Sequence, residues 1–286
     1  IDGGDGDNGI ANSAAIVAKA SATAVGVGVG VDVGIAKKGA ALGAAIADSR
    51  TTAEALASGI RSGAGQDHVT NTGTIAPEAT AGATAVSVGL TVTNAEKGLA
   101  ASAALADADA SAKAAARGIE TGAGDDVIRN AGSVSPKAKA GTTAVGVDLG
   151  VGVTEQGVSL GASLVESNAS SAAAAVGIDS GKGNDRVSNT GQIALDSQSD
   201  ATAVSVGLSV TYAKQGVGAS VAVVDARSAA DATARGIEAG EGNDAIANEG
   251  TIQGIAKADT TSVGVSVGVG IAKQGLAAGV GLSDTS

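Results

Sequence analysis

Apolar and small polar residues alternate with strict parity over long stretches of this chain. Val86, Val88, Leu90 and Val92 alternate with Ser87, Gly89 and Thr91, and the same rhythm returns over 145–153, 204–210 and 263–269. A period of two is the signature of a strand with one buried face, and it predicts that the valine and leucine parity is the buried one. Each run ends in a short polar turn closed by glycine: Lys37-Lys38-Gly39, Glu96-Lys97-Gly98, Glu155-Gln156-Gly157, Lys214-Gln215-Gly216 and Lys273-Gln274-Gly275. Glycine at the end of so short a connection suits a left-handed backbone position, so a hairpin is predicted. The return strand reads Leu99, Ala101, Ala103, Leu105, echoed by Val158, Leu160, Ala162, Leu164 and by Val217, Ala219, Val221, Val223. Near Asp107 the apolar parity flips to Ala108, Ala110, Ala112, Ala114 and Ala116, which predicts a bulge or a change of buried face. Alanine's helix propensity makes a helix the competing reading of 107–117. The alternation, and Thr233 in the copy at 225–235, favour strand.

These elements recur every 59 residues. Gly-Ile falls at Gly59-Ile60, Gly118-Ile119, Gly177-Ile178 and Gly236-Ile237, and Ile1 continues the series backwards. The units are 1–58 (degenerate), 59–117, 118–176, 177–235 and 236–286 (truncated) in one continuous array, so the chain reads as a piece of a longer one, with Ile1 as a cut edge. The fold expected is all-β: a repetitive β-solenoid or stacked-layer array, each unit holding a turn rich in glycine and aspartate and a long β-hairpin or β-arch. A unit forms either one wide layer or about three coils of roughly 20 residues. One coil with a projecting hairpin fits as well as the single wide layer. Single-layer stacking has more in its favour, because it superimposes Asn12, Asn71, Asn130, Asn189 and Asn248 in one ladder. Pro77 and Pro136 share a repeat position, which should be a corner because proline cannot donate to a ladder.

Composition narrows the chemistry. The 286 residues include 45 glycines but no Cys, Phe, Trp or Met, one Tyr (Tyr212) and one His (His68). Without cysteine there is no thiol nucleophile, disulfide framework or Cys-based zinc site, and any catalytic histidine would have to be His68. His68 fills a slot that holds Val127, Arg186 and Ala245 in other units, so it reads as a solvent-facing substitution, and Tyr212 as tolerated surface. A formal net charge of −11 argues against a nucleic-acid or anionic-membrane partner. The apolar runs are too short and too broken by glycine for a transmembrane helix, and no signal peptide opens the chain. Carbohydrate-active enzymes on β-helices need clustered carboxylates and usually aromatic platforms, which are almost wholly missing here. The threonines Thr70, Thr72 and Thr74 could suggest a flat ice-binding array, but the equivalent places hold Arg129, Ala131 and Ser133, which breaks it.

The frame Gly-x-Gly-x-Asp-x-Val, as in Gly63 to Val69 or Gly181 to Val187, resembles the nonapeptide of the RTX (repeats-in-toxin) family, a parallel β-roll that binds calcium. The resemblance implies calcium as cofactor, with Asp67, Asp126, Asp185 and Asp244 as ligands and Gly63, Gly65, Gly122, Gly124, Gly181, Gly183, Gly240 and Gly242 as turn formers. RTX nonapeptides run in tandem, whereas here one copy appears per 59 residues, and Asn8 stands in the first. The alternative is a tight corner whose aspartate caps backbone without metal. The Asn-x-Gly-x-Ile frame, as in Asn71 to Ile75, also resembles the solenoid repeats of large bacterial haemagglutinin-like and autotransporter-type surface proteins. The expected function is structural rather than enzymatic: a segment of a secreted, extracellular fibre, filament or adhesin stalk on the bacterial surface that associates with itself end to end. The second expectation is a calcium-responsive module that folds on export.

Overall fold

The computed structural model describes all 286 residues. Eleven strands follow one another: β1 (Gly9–Asn12), β2 (Ala15–Arg61), β3 (His68–Asn71), β4 (Thr74–Glu120), β5 (Val127–Asn130), β6 (Ser133–Val134), β7 (Lys137–Asp179), β8 (Arg186–Asn189), β9 (Gln192–Glu238), β10 (Ala245–Asn248) and β11 (Thr251–Thr285). There is no helix, and the alanine-rich tail at 107–117 is strand. Every strand pairing is parallel, with partners 59 residues apart, as in Val69↔Ile128, Ala108↔Ser167 and Val204↔Val263. The short strands form one sheet in the order β1, β3, β5, β8, β10, and the long strands form the other. The chain therefore advances one layer for each such offset, and its ladder bonds run along the stacking axis.

Each layer has three zones set by side-chain size. At the base, the end of one long strand, a short strand and the start of the next enclose fully buried aliphatics: Ile60, Val69 and Ile75, then Ile119, Ile128 and Val134, then Ile178, Val187 and Ile193. The glycine before the first isoleucine is needed for close approach, since a Cβ on Gly59 would lie 2.2 Å from Cγ2 of Ile75. Above the base is a neck whose facing positions are alanine, with Ala79, Ala81, Ala83 and Ala85 on one leg and Ala108, Ala110, Ala112, Ala114 and Ala116 on the other. Most outward neck positions are polar or charged, and Lys19 reaches Glu78 of the next layer at 3.0 Å. Beyond the neck the legs continue as an arch to the tip.

The arch inverts the expected burial. Ser87, Thr91 and Thr93 are fully buried between the legs, opposite Ala100, Ser102 and Ala104. Val86, Val88, Leu90 and Val92 face outward, as do Leu99, Ala101, Ala103 and Leu105. The legs approach too closely for large side chains, and a Cβ on Gly30 would lie 2.4 Å from the carbonyl oxygen of Ile46. The inward parity also runs without a break from Ala100 to Ala116, so there is neither a bulge nor a change of buried face at Asp107. What changes there is the outward chemistry, from aliphatic to charged.

The tip turns hold glycine with positive φ, 125° at Gly98 and 137° at Gly157, as the left-handed position requires. The legs pair only with neighbouring layers and never with each other, so the element is an arch rather than a hydrogen-bonded hairpin. The proline position is not a corner in both copies. Pro77 lies inside β4 and pairs with Ala18, whereas Pro136 falls between β6 and β7, where the ladder to the layer below lapses. One missing donor is tolerated in strands this long because the bonds on either side hold the register.

Candidate functional site

The recurring turn follows each long strand, and its glycines adopt positive φ: 88° and 138° at Gly63 and Gly65, 96° and 140° at Gly122 and Gly124, 83° and 138° at Gly181 and Gly183, 82° and 143° at Gly240 and Gly242. Stacking adds a second requirement, because a Cβ on Gly124 would lie 1.8 Å from the carbonyl oxygen of Gly65. The four aspartates are brought into one column. The backbone N–H of Asn8 donates to Oδ1 of Asp67 (2.8 Å), that of Asp67 to Asp126 (2.8 Å), that of Asp126 to Asp185 (2.9 Å) and that of Asp185 to Asp244 (2.9 Å). Each aspartate thus caps the backbone of the neighbouring layer rather than its own turn.

The second carboxylate oxygen behaves differently. Oδ2 of Asp67, Asp126 and Asp185 is buried without a hydrogen-bond partner, and burial raises the Asp126 carboxyl above its usual range. No group of three or more acidic or histidine side chains gathers around a point that could hold a metal ion. The column offers one free oxygen per layer, against the six to eight that a calcium ion takes. His68 is exposed, with Nε2 2.9 Å from the Arg129 guanidinium and no carboxylate partner. Tyr212 is half-buried on the outward side of the arch.

One column was expected from the sequence, and several others were not singled out there. Amides of Asn12, Asn71, Asn130 and Asn189 each donate to the next Asn in the expected ladder at 2.7 to 2.8 Å. A hydroxyl column lies beside the aspartates, with Ser62 donating to the carbonyl of Thr121, Thr121 to Ser180, and Ser180 to Ala239. Asp48, Asp107, Glu166, Asp225 and Asp284 stack where the aliphatic band meets the neck. Arg50 bridges Asp48, Asp107 and Asp109 at 3.2 to 3.5 Å, and Arg227 bridges Glu166 and Asp225. Burial, followed by repulsion from Asp109, raises the Asp107 carboxyl against the opposing pull of Arg50. The signal for all these columns was present as identical or like residues at one spacing.

Asp148 is the other buried acid. It points inward in the arch of its layer, where Gly89 below and Gly207 above leave room. Ser163 donates to its Oδ2 at 2.9 Å, while Oδ1 has no partner. Burial pushes its carboxyl up to about 6. No helix is long and apolar enough to cross a membrane. Comparison of the chain with protein-family models, curated proteins and solved structures finds no match.

Proposed function

We propose that the chain is a structural repeat segment of a secreted bacterial surface fibre, filament or adhesin stalk, acting without catalysis. The observation that carries this reading is the uniform parallel register, in which layer after layer adds the same ladder bonds at the same offset. Such a stack lengthens by about 4.8 Å per layer. Five layers are only about 24 Å high while a leg of some 22 residues reaches about 70 Å, so this segment is a blade, and a fibre requires many layers. The test is a set of concatenated arrays of 5, 10 and 20 units imaged by electron microscopy. Length proportional to unit number at constant width supports the reading, and a width or length independent of unit number removes it.

A second reading, a calcium-responsive module, is favoured by one observation: the unpartnered, buried Oδ2 atoms stacked in the aspartate column. A cation would relieve repulsion along that column. Thermal melts followed by circular dichroism in EGTA and in millimolar calcium test it. A higher midpoint with calcium, lost in Asp126→Asn, supports it, and an unchanged midpoint removes it.

A further inference from the structure

The arch is apolar on the outside and polar on the inside, a distribution that leaves a broad aliphatic surface in water. On the return leg it is bounded by two columns, Leu99, Val158 and Val217 and then Leu105, Leu164 and Val223, with Leu160 and Val221 between them. Leu160 and Leu164 are 42% and 47% exposed although both lie in the central layer, with neighbours above and below. A contiguous face of this kind on a folded protein marks a contact surface. We propose that the return-leg face of the arch docks against the same face of a second copy of this chain, so that two stacks pair side by side.

Three features point to a second copy as the occupant. First, the ridges on this face repeat once per layer, about every 4.8 Å, and a surface with the same period seats every ridge at once. Another such stack has that period by construction. Second, the face has relief: Ala44, Ala101 and Ala103 line a shallow hollow of about 400 Å³ beside Leu42. In the following layers Leu160 and Val221 each fill one of these two positions, leaving Ala162 and Ala219 as single low points beside them. A two-fold contact sets the projecting side chains of each copy against the low points of the other. Third, a band about 20 Å wide over five layers covers about 480 Å² per copy. The pair buries about 1,000 Å², the threshold for a stable interface, and each added layer enlarges it.

A lipid phase is the competing occupant, and backbone chemistry disfavours it. An open stack has two edges with unpaired N–H and C=O groups wherever the array stops, and each such group costs several kcal/mol in hydrocarbon. In water those edges remain hydrated while the aliphatic faces pair. The inference deepens the fibre reading and rests on it in one respect, that copies of the array meet at high local concentration.

The experiment uses the full chain at 5 to 200 µM in sedimentation velocity and small-angle X-ray scattering. The expected result is a concentration-dependent dimer whose thickness doubles at unchanged height along the stacking axis. Leu160→Lys with Leu164→Lys should weaken dimerisation at least tenfold with an unchanged strand signal in circular dichroism. Val147→Lys on the outbound face should leave it intact. If the double lysine variant does not fold, Leu160→Thr with Leu164→Thr must give the same loss. A wild-type chain that stays monomeric at 200 µM overturns the proposal, as does pairing untouched by the return-face variants, or uptake into phosphatidylcholine vesicles without pairing. Growth along the stacking axis alone also overturns it while leaving the fibre reading standing, whereas failure of that reading appears separately in the concatemer lengths.

Discussion

The amide of Asn130 donates to Asn189 and its oxygen accepts from Asn71, both at 2.7 Å, in a position closed to water. Truncating it leaves one buried donor and one buried acceptor unpaired, so Asn130→Ala should destabilise the array by about 2 to 4 kcal/mol in urea unfolding. Asn248→Ala, at the exposed end of the column, should cost much less. Asp148 works in the opposite direction. Its folded-state carboxyl, near 6, lies above its ordinary value, so protonation favours the fold. Stability therefore falls as pH rises from about 4 to 6 and stays lowered above that. Asp148→Asn should raise stability at pH 7 by about 2 kcal/mol after allowance for solvent screening, and should flatten the pH dependence of the melting midpoint between 4 and 6.

At the level of the element, the arch shows what alternation conveys and what it withholds. The pattern around Val86 to Val92 located the strand, and the glycines at 98 and 157 located its tip. Parity alone does not say which of two faces is inside. The usual inference puts the aliphatic side inward, and it fails here because two strands this close admit mainly Ser, Thr, Gly and Ala between them, with Val165, Val224 and Asp148 accommodated against glycines. The same cause explains Asp107, whose apparent flip marks the border of an outer band rather than a turn of the backbone. The distinction is testable in one layer. Ser205 is buried and donates to the carbonyl of Asp225 at 2.6 Å, so Ser205→Val should overfill the arch and lose that bond, at a cost of about 2 to 4 kcal/mol. Its outward neighbour carries no such constraint, and Val206→Thr should change the thermal midpoint by less than about 2 °C.

For the whole molecule, repetition was the most legible property. The recurrence of Gly-Ile, of Asn71 and its equivalents, and of the turn glycines identified the stacking partners before any local propensity was weighed. The aspartate column was legible only as a position. That Asp67, Asp126 and Asp185 each use one oxygen on the preceding layer's backbone depends on the register itself, which no single unit contains. Register is therefore the claim on which the rest stands. Lys37 and Lys273 occupy equivalent tips four layers apart, and the chain has no cysteine, so spin labels at Lys37→Cys and Lys273→Cys report on one pair of sites. Double electron–electron resonance should give a separation of about 19 Å, the height of four layers. A separation near 58 Å, as three coils per repeat would produce, would contradict the account.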